Sequence, residues 1–133
     1  DRLVFFGITP NHSCPQCVLL GEDHDHLFFN CSYSSKVWTT VLTKCNANRQ
    51  STTWLGLVEV VARDCKGKSL ATISKRLAFC CTVYQVWLER NNRIFSNERK
   101  PEEIILKAII CMVRQRALSL NSIKQSPTDY WYL

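Results

Sequence analysis

Residues 14–31 read CPQCVLLGEDHDHLFFNC, and their cysteines and histidines carry the pattern from which the rest of the chain is interpreted. Cys14 and Cys17 form a C-x2-C turn, which lets two thiolates bind one ion from a tight loop while nearby backbone N–H groups stabilise the sulfur charge. His26 and Cys31 complete the spacing C-x2-C-x8-H-x4-C. Three sulfurs and one nitrogen form a closed tetrahedral set for one structural zinc ion. A closed set leaves no position for a reactive water, which argues against hydrolytic catalysis.

The identity of the histidine ligand stays open on spacing alone. His24 has the same parity as His26, and His12 is a more remote third candidate. The interval between His26 and Cys31 favours His26, because it lies within the usual range for a second ligand pair. The alternative of unrelated cysteines in a cysteine-rich chain is disfavoured, since so short a window rarely holds the whole set by accident.

Two aromatic residues lie between the last two ligands. We expect Phe28 and Phe29 to pack under the metal loop and onto Trp38, since burial is the common fate of an apolar pair in a small domain. The alternative is that they stack on bases, as aromatic residues do in single-strand binding proteins.

After the metal pattern, the hydrophobic period becomes that of helices. Ser34 and Ser35 could cap a first helix of about three turns, whose apolar residues run from Val37 to Cys45. Further helices are predicted over 54–65, over about 69–95 and from Pro101 onward. Apolar residues at helical spacing predict the inner face of each of these three helices. The inner face is predicted to be Leu55, Val58, Val61, Ala62 and Cys65 in the helix over 54–65, Ile73, Leu77, Cys80, Tyr84 and Trp87 in the helix over 69–95, and Ile105, Ile109 and Met112 in the helix from Pro101. The final segment, with Tyr130, Trp131 and Tyr132, is predicted to need a surface to lie on.

The size of the chain agrees with this division. It has 133 residues, of which 46% are apolar, enough for one domain or for a small satellite fold on a modest helical core. We therefore expect a mainly α fold with two parts. A small zinc-stabilised loop module occupies residues 1–33, and about four helices pack as one small basic domain over residues 34–133.

The net charge of +6 is unevenly distributed. Residues 1–33 hold one arginine against four acidic residues, a net charge of −3, whereas residues 34–133 hold sixteen basic against seven acidic residues, a net charge of +9. Any attraction to phosphate should therefore come from the helical part. The candidate phosphate-binding residues are Lys75, Arg76, Arg90 and Arg93, and further cations available for phosphates are Arg99, Lys100, Arg114 and Arg116. The alternative for each is a solvated helix face.

The sequence carries no membrane or export signal. It contains no run of about 18 or more uncharged apolar residues and no basic segment followed by a long apolar stretch. The eight cysteines include the adjacent pair Cys80 and Cys81 within a helical pattern, which favours reduced, metal-binding cysteines over a secreted disulfide scaffold. We expect an intracellular protein. Because the sequence opens on Asp1 without an initiator Met, we also expect it to be the mature or excised end of something longer.

The N-terminal third of the chain carries a resemblance to a known family. Its residues are Asp1-Arg2-Leu3, Gly7, the turn from Cys14 to Cys17, the run His26-Leu27-Phe28-Phe29-x-Cys31, and Val37-Trp38. In this ordered combination the chain resembles the zinc-binding domain at the C-terminal end of plant LINE-type (non-LTR) retrotransposon reverse transcriptases. Residues 86–95, VWLERNNRIF, are similar to a weaker pattern in the tails of the same proteins.

The resemblance implies that Cys14, Cys17, His26 and Cys31 bind the metal, and that the domain helps a polymerase hold its RNA template or target DNA. Nothing here resembles the catalytic polymerase or the endonuclease, so we expect a non-catalytic module without a small-molecule substrate. The expected partner is RNA or DNA, and the expected compartment is the nucleus if the chain is retrotransposon-like. The alternative is a retrotransposon-derived scaffold subunit, retained by a host in a larger protein assembly.

Overall fold

The computed structural model describes residues 13–19, 21–47 and 53–121, and this part of the chain is mainly helical. A short π-helix spans His26–Asn30, and it is followed by α1 (Ser32–Lys44), α2 (Trp54–Asp64), α3 (Leu70–Phe95) and α4 (Glu102–Asn121). The described residues contain no β-strand, only an isolated antiparallel bridge between Ser13 and Gly21. The predicted fold class is confirmed. The predicted tail with Tyr130, Trp131 and Tyr132 lies outside the described residues.

Local capping explains where two of the helices begin. The Ser69 hydroxyl accepts a hydrogen bond of 3.2 Å from the Thr72 amide at the start of α3, and the Thr53 hydroxyl accepts one of 3.2 Å from the Gly56 amide at the start of α2. Between these helices, Gly67 has a φ of +122°, which L side chains rarely adopt. No helix in the described ranges is long and apolar enough to cross a membrane.

The start of α1 differs from the prediction. The helix begins at Ser32, with Cys31 in the N-cap position. Ser34 lies inside the first turn, where its hydroxyl donates to the Cys31 carbonyl over 3.3 Å. The predicted cap at Ser34 and Ser35 is therefore wrong, because Cys31, a candidate metal ligand, occupies the N-cap position instead.

One hydrophobic core joins the N-terminal segment to the helices. The Phe29 ring lies 5.6 Å from the Trp38 ring and 6.3 Å from the Trp54 ring, measured between centroids. Phe28 lies 5.4 Å from Trp54, and Trp38 lies 6.1 Å from Phe79 on α3. The predicted burial of both phenylalanines is confirmed, and Phe29 contacts Trp38 as predicted, whereas Phe28 contacts the rings of Phe29 and Trp54 instead. This core crosses residue 33, the predicted boundary between the two parts.

The buried face of α3 matches the predicted apolar stripe only in part, at Leu77 and Trp87, which are half-buried and pack against the core. Cys80 and Tyr84 are exposed, and the buried side chains of the helix are Ser74, Ala78, Phe79, Thr82, Gln85, Val86, Glu89 and Arg90. Polar groups can occupy this face because they find partners there, as when the Thr82 hydroxyl donates to the Ala78 carbonyl over 2.7 Å. On α4, Ile105 and Ile109 are buried as predicted, but Val113 is buried in place of the exposed Met112.

The predicted inner face of α2 is correct only at its C-terminal end, where Val61 packs against the core and Cys65, the C-cap residue, is buried. Leu55 is 76% exposed and Val58 is 51% exposed, whereas Val60 is the buried residue of this helix. Contacts at the first turn hold α2 to the rest of the protein: the Trp54 amide donates to an Asp25 carboxylate oxygen over 2.8 Å, beside the aromatic contact with Phe28.

These exposures lead to a stability prediction. Phe29→Ala should lower the free energy of unfolding by about 3–5 kcal/mol, since a large buried side chain leaves a cavity between two tryptophans. Leu55→Ala is the control, and it should change the same quantity by less than about 0.5 kcal/mol because the side chain is exposed. Urea unfolding followed by far-ultraviolet circular dichroism measures both values. Equal losses would contradict the described core.

Candidate metal centre

A tight loop presents the first two candidate ligands. Cys14 and Cys17 flank a turn that the Val18 amide closes by donating to the Cys14 carbonyl over 2.8 Å. Val18 itself has a φ of 63°, in the left-handed region. The bridge between Ser13 and Gly21 then brings the two ends of the loop together. Both sulfurs therefore face the same side of a short, closed loop.

The π-helix presents the other two candidates. The Asp23 carboxylate accepts from the His26 amide over 2.7 Å, which fixes the start of this segment. The Cys31 amide donates to the His26 carbonyl over 2.7 Å, an i→i+5 bond. Residues five apart in an α-helix point roughly 140° away from each other. The wider π turn brings them towards the same side, and single π turns are frequent at functional sites.

The structure brings together the four side chains that the spacing predicted. The Cys14 and Cys31 sulfurs are 3.9 Å apart, and the Cys17 sulfur lies 3.3 Å from Nε2 of His26. All four ligand atoms lie within 4.8 Å of one another. This cluster could hold one metal ion. His24 is exposed and is not part of the cluster, and His12 lies outside the described residues.

A hydrogen bond links the two buried sulfurs. The Cys14 thiol donates to the Cys31 sulfur, which raises the pKa of Cys14 and lowers the pKa of Cys31. Burial also raises the pKa of Cys14, while the backbone N–H groups of Gln16 and Cys17 oppose that rise. A divalent cation between the sulfurs would displace the proton, because cysteine binds metals as the thiolate.

Contacts with α3 hold the metal loop against the helices. Gln16 donates from Nε2 to the Val86 carbonyl over 3.1 Å. Arg90 forms a bidentate ion pair with Glu22, and both side chains are buried. Arg93 donates from Nη1 to the Gln16 carbonyl over 2.9 Å. These contacts could not be predicted from the spacing of the four ligands, because the two residues of each contact lie far apart in the sequence.

Two of the predicted phosphate-binding residues have other contacts in the structure. Arg90 is fully buried. The Arg93 side chain is 7% exposed, pairs with Glu89 over 2.7 Å and lies over the Tyr33 ring at 4.5 Å. This differs from the expectation that Arg90 and Arg93 present guanidinium groups to phosphate, because their charges are already paired inside the protein.

The other two predicted residues lie at the opposite end of α3. Arg76 is exposed, and its Nη2 donates to the Gly67 carbonyl over 3.2 Å. Lys75 is partly exposed. Phosphate binding by these two residues stays a prediction.

In comparisons with protein-family models, curated proteins and solved structures, nothing matches this chain.

A pair of histidine substitutions tests the cluster. His26→Ala should weaken Co²⁺ binding sharply because it removes a ligand atom, whereas His24→Ala should leave binding unchanged. Absorption bands of cobalt bound to thiolates, followed during titration, measure both affinities. If His24→Ala weakened binding and His26→Ala did not, the described geometry would be incorrect.

Proposed function

We propose that this chain is a non-catalytic module in which one structural zinc ion is bound by Cys14, Cys17, His26 and Cys31, and that the module binds RNA. The observation that carries the proposal is the convergence of these three sulfurs and one ring nitrogen within 4.8 Å. Zinc–sulfur bonds of about 2.3 Å in a tetrahedron place two sulfurs about 3.8 Å apart. The separation of 3.9 Å between Cys14 and Cys31 agrees with that value.

The chemistry of the donor set supports zinc and a structural role. Three soft thiolates and an imidazole favour zinc over magnesium or calcium, which prefer oxygen ligands. Four protein ligands complete a tetrahedron and leave no open position for a substrate or an activated water. The burial of Cys14 and Cys31 at 0% exposure also favours a site that holds the fold together.

A group of basic side chains supports binding to an RNA backbone. We call Lys66, Lys68, Lys75 and Arg76 the basic turn, since they lie in the connection between α2 and α3 and in the first turns of α3. Residues 65–88 contain these four cations and no Asp or Glu. Asp64, the nearest acidic residue before them, is paired with Arg63 over 2.7 Å.

The Lys75 charge also acts on two nearby thiols. Burial raises the pKa of Cys45 to about 12 and also raises the pKa of Cys65, and the Lys75 ammonium opposes both shifts. Lys75 therefore lies close to the ends of α1 and α2, and the Arg76 guanidinium also acts on Cys65. The positive end of the α3 dipole adds to the same local field.

The sequence resemblance to the zinc-binding domain of LINE-type reverse transcriptases also supports an RNA-binding role. That resemblance stays a prediction, as does the nuclear compartment. The proposed role is to help hold an RNA strand through its phosphates.

A second candidate is a scaffold subunit in a larger protein assembly. The observation that favours it is the exposed apolar surface of α2, where Leu55 is 76% and Val58 is 51% exposed. Clusters of exposed apolar side chains often mark protein contacts. Purification from the native source at moderate salt distinguishes the candidates, since this one requires bound protein and the first requires bound RNA.

The zinc assignment has a direct test. Elemental analysis of the purified protein should find one zinc ion per chain, because the four ligands form a single closed site. Cys31→Ser should lose the ion, whereas Cys111→Ser should keep it, since Cys111 is exposed on α4. Protein that folds and contains no zinc would contradict the assignment.

The RNA-binding role is tested by salt dependence. Binding of the wild-type chain to a single-stranded oligouridylate should weaken as salt rises, with about 0.7 in the log–log slope for each phosphate contacted. The double variant Lys75→Gln and Arg76→Gln should lower that slope by about 1.4 if each residue contacts one phosphate. Fluorescence anisotropy at several salt concentrations measures the slopes.

The control removes the same charge from α1 and α4. Lys36 and Lys107 are exposed on these helices, and their joint change to Gln should leave the slope nearly unchanged. Equal slopes in all three proteins would mean that the basic turn contacts no phosphate, and tighter binding to duplex DNA than to RNA would contradict the choice of RNA.

A further inference from the structure

We propose that Arg93 and Arg90 are positioning residues of the metal centre, which fix the loop of Cys14 and Cys17 on α3 and thereby set how tightly the ion is held. The proposal rests on the zinc centre proposed above and is independent of RNA binding. It assigns a role to two buried arginines that lie 68 to 78 residues from their loop partners in sequence.

The contacts of Arg93 lead through two peptide groups to a ligand sulfur. Its Nη1 donates to the carbonyls of Gln16 at 2.9 Å and Pro15 at 3.4 Å. Each carbonyl shares a planar trans peptide with the next amide, so the N–H of Cys17 and the N–H of Gln16 point the opposite way. These are the two backbone N–H groups that act on the Cys14 sulfur.

This arrangement forms a continuous polar path from guanidinium to sulfur. A cation that draws on a carbonyl oxygen polarises the peptide, which makes its N–H a stronger donor. Stronger donors to a thiolate stabilise its negative charge. Arg93 therefore fixes the orientation of the two peptides in the C-x2-C turn and strengthens their hydrogen bonds to Cys14.

Arg93 is held in place from its other edge. Its Nε donates to Glu89 over 2.7 Å, four residues earlier on α3, and the Tyr33 ring lies 4.5 Å from its central carbon. A guanidinium can donate to an acid and to carbonyls at the same time because its donors form a planar fork. A lysine ammonium in this position would keep the charge but not the fork.

Arg90 acts on the segment that joins the two ligand pairs. Its partner Glu22 lies between Cys17 and His26 in sequence, and the pair is made through Nε and Nη2 of the arginine. The Arg90 guanidinium also lies 5.1 Å from the Trp87 ring centroid. With Arg93 on the loop and Arg90 on the following segment, both stretches leading to His26 are held against one helix.

Partners beyond the ligands of a metal site typically change affinity or activity by about 10–100-fold when they are mutated. We therefore expect Arg93→Gln to raise the zinc dissociation constant and the rate of zinc transfer to excess chelator by about 10–100-fold. Arg93→Lys should change both quantities by a smaller factor. It keeps the positive charge beside Glu89, but it loses the planar fork that reaches the loop carbonyls. Arg99→Gln is the matched control, since Arg99 is exposed on the connection after α3, and both quantities should stay unchanged.

A spectroscopic measurement separates positioning from a general loss of stability. In Co²⁺-loaded protein, the sulfur-to-cobalt charge-transfer band should move to longer wavelength in Arg93→Gln, because the Cys14 sulfur loses stabilising hydrogen bonds. A variant that is only less stable would keep the band of the wild type in its folded fraction. Circular dichroism on the same samples reports whether the helices are intact.

Unchanged zinc affinity, release rate and cobalt band in a folded Arg93→Gln variant would overturn the role of Arg93. If that variant does not fold, Arg93→Lys and Glu22→Gln decide through the same measurements, and wild-type values in both would overturn the proposal. A folded wild-type chain that binds neither Zn²⁺ nor Co²⁺ would overturn the zinc centre as well. Wild-type zinc binding with unaffected variants would overturn this inference alone.

Discussion

The ion pair between Glu89 and Arg93 joins three parts of the fold at one buried point. Arg93 reaches the carbonyls of the metal loop and, through Nη2, the Lys100 carbonyl at 3.3 Å, while Glu89 accepts from the Lys100 amide over 2.8 Å. The Tyr33 hydroxyl of α1 donates to the same carbonyl over 2.8 Å. Burial and the Glu89 carboxylate raise the pKa of Tyr33, so the hydroxyl keeps the proton that it donates. Removing either member of such a buried ion pair lowers the free energy of unfolding by about 3–5 kcal/mol, since the other charge remains buried without a partner.

The features that the sequence predicted well are those whose causes are local. Ser69 caps α3 through a hydrogen bond to a residue three positions later, so its own neighbourhood identifies the helix start. The ligand spacing from Cys14 to Cys31 is equally local, because a C-x2-C turn and a following His and Cys fit one ion within a single short segment. The π turn at His26 was not predicted, since its i→i+5 bond has no signature in the hydrophobic period.

The features that the sequence did not predict depend on partners far along the chain. Hydrophobic periodicity assigns charged residues to the surface, so it predicts a solvated or phosphate-binding face for Arg90 and Arg93. Burial of Arg90 becomes favourable only because Glu22, 68 residues away, lies against it in the folded protein. Periodicity also predicts Tyr84 in the core, but Tyr84 is exposed, and polar residues of the adjacent α3 face are buried instead. Long-range polar pairing is therefore the information that spacing lacks.

The charge asymmetry of the sequence has two different origins in the structure. Part of it is internal complementarity, because Glu22 of the acidic N-terminal segment neutralises Arg90 of the basic helical part. Among the described residues, no ion pair joins the basic turn to an acidic side chain. Lys75 precedes Arg90 by fifteen residues on one continuous helix, a distance of about 22 Å. That distance exceeds the Debye length of about 8 Å at physiological ionic strength. The electrostatic field of the basic turn is therefore screened from the metal centre. Salt can weaken the attraction of phosphate at one end of α3, while the buried ion pairs at the other end keep the metal loop in place.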